Sequence, residues 1–352
     1  MPIPADLLIK SNTRAYSIPV YGENKIHLEH VYKENNIFKY TLSNKVVYYD
    51  KHTDSKPKHH TLGIVKGNKL KFCKFTKGFQ YDNPMNVFSQ EKELIDLVGE
   101  PIDIAPEVNL WFTDDAYWHY LYEDLPVLKH CMENDFPIVT SPLNNWQKEL
   151  LNYFGDIKKR IVEVPLPCVI TAENFFIYTE SNAGGGRNSE WANVFIRDHL
   201  KPSDFFIPTR KIYISRQDAD ARKVTNEKEV IEYLKKKDFE IVYDMPTKTI
   251  QEKIDMFAQA KIVISVSGST LCHVHAMKPG TTCIDTNHLI TLDPNLPIQE
   301  FAFNNVGNTV GVNYISFVSK TKHHTDTDRT QRTMDRDLEI DLSLLEKILE
   351  QV

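Results

Sequence analysis

Residues 249–285, TIQEKIDMFAQAKIVISVSGSTLCHVHAMKPGTTCID, decide the fold class. Thr249 through Ala260 reads as a helix, and Ile262-Val-Ile-Ser-Val follows as a strand apolar on both faces. After a short polar break, Leu271 to Met277 reads as a second helix and Thr282-Cys-Ile-Asp as a second strand. Upstream the same alternation begins with the strand Lys211-Ile-Tyr-Ile-Ser. Asn226 then opens a helix with Val230, Ile231 and Leu234 on one face, and Phe239-Glu-Ile-Val-Tyr returns as a strand. Four strands interleaved with three helices predict a largely parallel sheet, whose ligand belongs in a crevice at the strands' carboxyl ends.

The first half alternates too. Asn109-Leu-Trp-Phe-Thr reads as a buried strand, and Asp114 and Asp115 start a helix in which Tyr117, Leu121, Asp124 or Leu125, and Leu128 recur at helical spacing. Pro126 should end or kink that helix. Phe136 to Thr140 is a strand, Trp146 to Phe154 a helix stopped near Gly155, and Ile161-Val-Glu-Val another strand. Trp191 to Leu200 is a helix, with Pro202 and Pro208 marking a hinge before the second half. The first 90 residues carry short Tyr, Val, Ile and Phe runs typical of hairpins, and the basic stretch Lys51–His60 reads as a solvated loop. Residues 321–341 read as a charged loop. Leu342 to Leu349 is a short amphipathic helix expected to pack back on the body, with the first domain as its conjectured seat.

Composition narrows the function. The chain has 352 residues, 41% hydrophobic and 26% charged, which excludes wholesale disorder and fits two packed domains. Its formal charge of −6 gives no global attraction for nucleic acid or anionic membranes. The cysteines at 73, 131, 168, 272 and 283 are odd in number and lack CxxC spacing, so neither a disulfide framework nor a structural zinc site is indicated. The N-terminus shows no signal-peptide pattern, and no run of about 18 apolar residues spans a membrane. A cytoplasmic protein, peripheral at most at the inner face of a membrane, is the expectation.

Three stretches carry chemistry. Ser265-Val-Ser-Gly-Ser-Thr-Leu-Cys-His runs a strand through a small-residue turn into a helix: Gly268 lets a ligand approach, Ser269 and Thr270 offer hydroxyls, and free amides favour an anion. Such turns are also common as plain connections. Ile214-Ser-Arg-Gln-Asp-Ala-Asp-Ala-Arg-Lys puts Arg216, Arg222 and Lys223 where a strand empties, suited to a diphosphate, although Asp218 and Asp220 could pair them on the surface. Trp118-His-Tyr-Leu-Tyr-Glu-Asp sets His119 and Glu123 four apart on one helical face, where a histidine takes a proton and a carboxylate orients it. A histidine among large rings is also often a packed residue.

Together, the segments 117–126, 212–227 and 257–285 resemble the glycosyltransferase 61 family, which includes plant arabinofuranosyl- and xylosyltransferases and animal O-linked N-acetylglucosamine transferases, with bacterial relatives. The resemblance implies a GT-B type α/β fold with two Rossmann-like domains facing across a cleft. Residues 1–200 would form the acceptor-side domain, 201–335 the nucleotide-sugar domain, and 336–352 the returning C-terminal helix. It implies an inverting glycosyltransferase that uses a nucleotide sugar and a glycan or glycoconjugate acceptor, with neither cofactor nor metal required. Carried over, Arg216, Arg222 and the turn Gly268, Ser269, Thr270 and Leu271 would hold the donor phosphates. Asn226, Glu227, His273 and Asp285 would support the donor, Asn226 and Glu227 by capping a helix and bracing the loop. His119 or Asp124 would face the acceptor; His119 is the first choice for base, with Asp124 or Glu123 as the alternative base or orienting carboxylate. The family pattern has Gly-Ala where this chain has Gly268-Ser269, Asn where it has His273, and Glu where it has Asp285.

Other readings stay open at this level. A nucleotide-sugar epimerase or dehydrogenase lacks its GxGxxG turn and YxxxK pair here. A non-catalytic glycan- or nucleotide-binding module would use the aromatic-rich start. A metal-dependent transferase would use Asp218-Ala-Asp220 or Asp326-Thr-Asp328, both short matches in an acidic chain. The triple glycine at 184–186 has neither dinucleotide nor Walker spacing and reads as a loop.

Overall fold

A computed structural model describes residues 5–9, 13–21, 25–33, 37–52, 59–66, 69–74, 88–93, 100–178, 188–217, 219–220, 222–287, 302–318, 320–321 and 337–352. The chain forms two compact units, Met1–Thr13 with Lys33–Gly184 and Arg14–Tyr32 with Gly185–Val352. Both are α/β units whose central strands run parallel.

This division departs from a single boundary at residue 200. The strand Thr13–Tyr21 pairs in parallel with Asn313–Val318, Val20 against Ser316 and Tyr21 against Phe317, so an early segment completes the second unit's sheet. The helix Glu190–His199 also belongs to the second unit. Its buried Asn193 donates to Asn305 Oδ1 at 3.1 Å and to Thr309 Oγ1 at 3.0 Å, both on the helix Ala302–Val310. Amides buried between helices must be satisfied, and these bonds tie the helix to its unit.

In the first unit the parallel strands lie in the order Ile161–Glu163, Ile138–Thr140, Glu107–Leu110, Cys168–Tyr178. Counted along the chain this is 3-2-1-4, the Rossmann order. Val108, Leu110, Val139, Ile170, Phe175 and Ile177 form its core. The strand Ile37–His52 joins antiparallel to Cys168–Tyr178, and a meander of His59–Lys66, Lys69–Lys74 and Phe88–Glu93 extends the sheet. The expected solvated loop at Lys51–His60 is corrected at both ends. Lys51 pairs with His60 and His52 with His59 in the ladder, because the strand pattern runs on into the basic residues. Residues 53–58 lie outside the described residues.

The helix after Glu107–Leu110 does not end before Pro126. It runs as an α-turn over Tyr117–His119, a π-helix over Tyr120–Asp124, a 3-10 turn over Leu125–Val127 and an α-turn over Leu128–Cys131. Pro126 sits at the start of the 3-10 turn, where its missing N–H is not needed, and the π-register absorbs the strain. Downstream, Gly155 takes φ +64° where the helix Asn145–Leu151 and its 3-10 continuation kink, a conformation that favours glycine.

The second unit orders its parallel strands as Glu240–Val242, Arg210–Ile214, Ala260–Val266, Thr282–Asn287, Asn313–Val318. In chain order this is 2-1-3-4-5, so the winding reverses between Arg210–Ile214 and Ala260–Val266. That reversal is the topological switch point, where ligands of such sheets bind at the carboxyl ends. The helix Glu227–Lys235 packs Val230, Ile231 and Leu234 inward. Ile250–Gln259 starts with a reciprocal cap: the Thr249 amide donates to Glu252 Oε2 at 2.7 Å, and the Glu252 amide donates to Thr249 Oγ1 at 3.2 Å.

Ser269–Ala276 forms a 3-10 helix rather than an α-helix, with Leu271 through Ala276 all buried. A segment enclosed on every side is shaped by packing rather than by amphipathic period. The C-terminal helix Leu342–Leu349, capped by Asp341, places Leu345 and Ile348 in the second unit's core with Val230 and Leu234, which corrects its conjectured first-domain seat.

Candidate functional site

At the carboxyl ends of the second unit's strands, Ile214, Ser265, Asp285 and Ser316 stand in one register row. Just beyond it the switch-point loops meet. A Cβ built on Gly268 would lie 3.2 Å from Arg216 Nη1 and 3.4 Å from Arg222 Nη1. Two guanidinium groups from one loop therefore converge on the glycine of another. Gly268 has φ 165°, ordinary extended backbone, so space and not backbone angle calls for glycine here.

Arg222 is held in an unusual state. Its φ of +60° is left-handed, which costs about 1–2 kcal/mol for a residue with a Cβ. Nη1 donates to the Ser267 carbonyl at 2.9 Å, and the buried Nε has no hydrogen-bond partner among the described residues. Two cations brought to one point repel each other, and an anion relieves both that repulsion and the missing acceptor.

Glu227 fixes the other loop stem. Its buried Oε1 accepts from the Tyr213 hydroxyl at 2.9 Å and from the Arg216 amide at 3.2 Å. Burial first, then the Glu227 charge, push the Tyr213 phenol well up, so it stays a donor. Asn226 stands at the cap position of the helix Glu227–Lys235 but makes no side-chain cap bond; its amide pairs with Ile340 instead. That corrects the capping part of its expected task.

Ser269 is exposed and Thr270 half-buried at the turn, while the Leu271 amide donates back to the Gly268 carbonyl at 2.9 Å. His273 lies in the interior, its ring 5.8 Å from that of Phe257 and 6.0 Å from that of His275. Asp285 is buried and accepts from the Tyr314 hydroxyl at 2.9 Å.

The interior histidines set an acid limit. Burial holds His273 well below its usual range and His275 down to about 4. In the unfolded chain a histidine protonates near 6.5, so stability is complete above that pH and falls as pH drops toward 4. For His275 alone the expected loss between pH 7 and pH 5 is about 2 kcal/mol. Thermal melts across that range check it: a falling Tm is expected, with a shallower fall in His275→Gln.

In the first unit, His119 Nδ1 lies 2.8 Å from Glu123 Oε2, with the histidine side chain 46% exposed and the glutamate 6%. The i, i+4 pair predicted from spacing is thus present, and the reachable member is the histidine. Asp124 is fully buried: its Oδ2 accepts from the Asp114 amide, and its carbonyl accepts from Trp111 Nε1 at 2.9 Å. Aromatic rings flank the pair, Trp118 against Tyr122 at 4.5 Å and Tyr117 against Trp146 at 5.1 Å. Pi-turns of this kind recur at functional sites.

Three contributors are not marked by their residue type, although Ser267 and Tyr213 lie inside the stretches already quoted: the Ser267 carbonyl, the Tyr213 hydroxyl, and Gln147, whose Nε2 donates to the Asp114 carbonyl at 2.8 Å. Among the described residues no group of three or more His, Cys, Asp or Glu is placed to hold a metal ion, and no helix is long and apolar enough to cross a membrane. Asp218, the triple glycine and Asp326 to Asp328 lie outside the described residues.

Residues 117–284 match the family model described as Glycosyltransferase 61. No curated protein matches the chain. Among solved structures, an iron-containing dodecameric glycosyltransferase, TibC from enterotoxigenic E. coli, is similar at 12% identity over 86% of each chain, with a TM-score of 0.35.

Proposed function

Through residues 117–284 this chain belongs to the glycosyltransferase 61 family, and from that premise we propose that it moves a sugar, with inversion, from a nucleotide-sugar donor to a hydroxyl of a glycan or glycoconjugate, in surface polysaccharide or glycoconjugate synthesis. The observation that carries the donor half is the convergence of Arg216 and Arg222 on Gly268 at the switch point.

The chemistry is a displacement at the anomeric carbon. His119 is the base: a carboxylate at Nδ1 favours the proton there and leaves Nε2 with its lone pair. Nε2 takes the acceptor hydroxyl proton as the oxygen bonds to the anomeric carbon, on the face opposite the nucleotide. The bond from that carbon to the phosphate oxygen breaks, and the electron pair leaves on the diphosphate. Arg216 and Arg222 neutralise that charge as it develops, with hydroxyl support from Ser269 and Thr270. Glu123 orients the base, and Asp124 holds the loop before it through the Asp114 amide.

A thermal-shift screen against UDP-, GDP- and TDP-sugars, with CMP-sugars as the monophosphate control, tests the reading. The matching nucleotide class should raise Tm by about 3–5 °C at a hundredfold excess over Kd. Mass spectrometry with that donor should then show release of its nucleotide by transfer or slow hydrolysis. A flat screen together with no donor turnover would remove the assignment.

A further inference from the structure

We infer that residues 337–341 are a strap that sets the position of Arg222, with Asn226 as the positioning residue; this rests on the donor-site reading above.

Six hydrogen bonds stitch the strap to the loop after Arg222, among them one from the Thr225 hydroxyl to the Leu338 carbonyl at 3.3 Å. The Lys223 amide donates to Asp337 Oδ1 at 2.8 Å, the Leu338 amide to the Lys223 carbonyl at 2.9 Å, and the Thr225 amide to the Leu338 carbonyl at 2.8 Å. Asn226 completes the ladder with its side chain: Nδ2 donates to the Ile340 carbonyl at 2.8 Å, and Oδ1 accepts from the Ile340 amide at 3.0 Å. A side-chain amide here imitates a strand neighbour, reading donor and acceptor of one residue at once.

The strap itself is anchored. Leu338 and Ile340 are buried in the second unit's core, and the Asp341-capped helix Leu342–Leu349 follows directly. Arg222 is the residue immediately before the stitched segment, and its left-handed backbone persists only where the surroundings over-determine it. Asn226 also forgoes a helix cap that residues of its type normally supply, which shows where its amide is committed. On the following residue, Glu227 holds the Arg216 amide. Neighbouring side chains thus govern the two arginines separately, Glu227 through the strand stem and Asn226 through the strap.

The test is a double-mutant cycle read by calorimetry. UDP, GDP and TDP are titrated singly into the full chain, and the tightest is the probe. Asn226→Ala should weaken that nucleotide about tenfold, while Asn226→Ala in the Arg222→Ala background should add little, because the strap acts through Arg222. Asp337→Ala, at the accessible end of the strap, keeps the question answerable if Asn226→Ala fails to fold; it should weaken binding about threefold and lose this effect in the same background. A merely structural role would lower Tm with Kd unchanged.

Unchanged Kd in the folded strap variants, with Arg222→Ala weakened, would overturn the strap alone. Full additivity of the strap and Arg222 changes would also overturn it. If none of the three nucleotides binds the wild-type chain, the donor reading falls and the strap with it.

Discussion

His119→Ala should lower kcat by about a hundredfold to ten-thousandfold while leaving donor affinity unchanged, since a positioned general base supplies an effect of that size. The side chain is half exposed, and its Nδ1 meets a nearly buried carboxylate. Removing the ring therefore costs little packing. Glu123→Gln should cost less, because it weakens the orientation of the ring and keeps the ring itself. Asp124→Asn should act chiefly on stability, since the buried carboxylate accepts from the Asp114 amide. Steady-state rates at saturating donor, beside nucleotide Kd and Tm for each variant, separate these roles. Near-normal kcat in His119→Ala would remove it as base.

Replacing Arg216 and Arg222 together by alanine should weaken the donor nucleotide by about a hundredfold or more, as each charge-assisted contact contributes roughly 1.5–3 kcal/mol. Lysine at either position should restore only part of it, because an ammonium cannot present a guanidinium's fork to phosphate. Gly268→Val provides an independent check. A Cβ alone already comes within 3.2 Å of Arg216 Nη1, so a branched side chain would both displace the guanidinium groups and fill the anion's place. Donor KM should rise in all these variants while Tm changes little. Unaltered nucleotide affinity in the double arginine variant would defeat the phosphate site.

The parts legible in the sequence are those whose signal is local. Ile262-Val-Ile-Ser-Val is apolar on both faces and forms a central strand; Thr249 through Ala260 reads as a helix and forms one over Ile250–Gln259; His119 and Glu123 stand four apart and meet. What escaped depends on distant partners. The strand Cys168–Tyr178 and the pair formed by helix Ala302–Val310 and strand Asn313–Val318 carry no clear local signal, because polar residues such as Glu173, Asn174 and Asn304 to Asn308 interrupt their apolar pattern. Several of those polar groups are satisfied across the fold: Ser43 donates to Asn174, and Asn305 donates to the Asn188 carbonyl.

The early strand Thr13–Tyr21 joins the later sheet through a pairing no local window contains. At the site, the Asn-Glu pair at 226 and 227 was visible, but its meaning was not. Asn226 reads as a helix cap until Ile340, more than a hundred residues away, is seen to occupy its amide. Likewise Pro126 signals an end or a kink in sequence, and the structure takes the second course, passing from a π-turn into a 3-10 turn there so that the helix runs on.

The most direct measurement is a crystal structure of the chain with its tightest nucleoside diphosphate. The diphosphate should lie against Gly268, with its oxygens about 2.7–3.2 Å from nitrogens of both Arg216 and Arg222. A well-occupied nucleotide bound elsewhere, with the two arginines and the Gly268 turn untouched, would contradict the account.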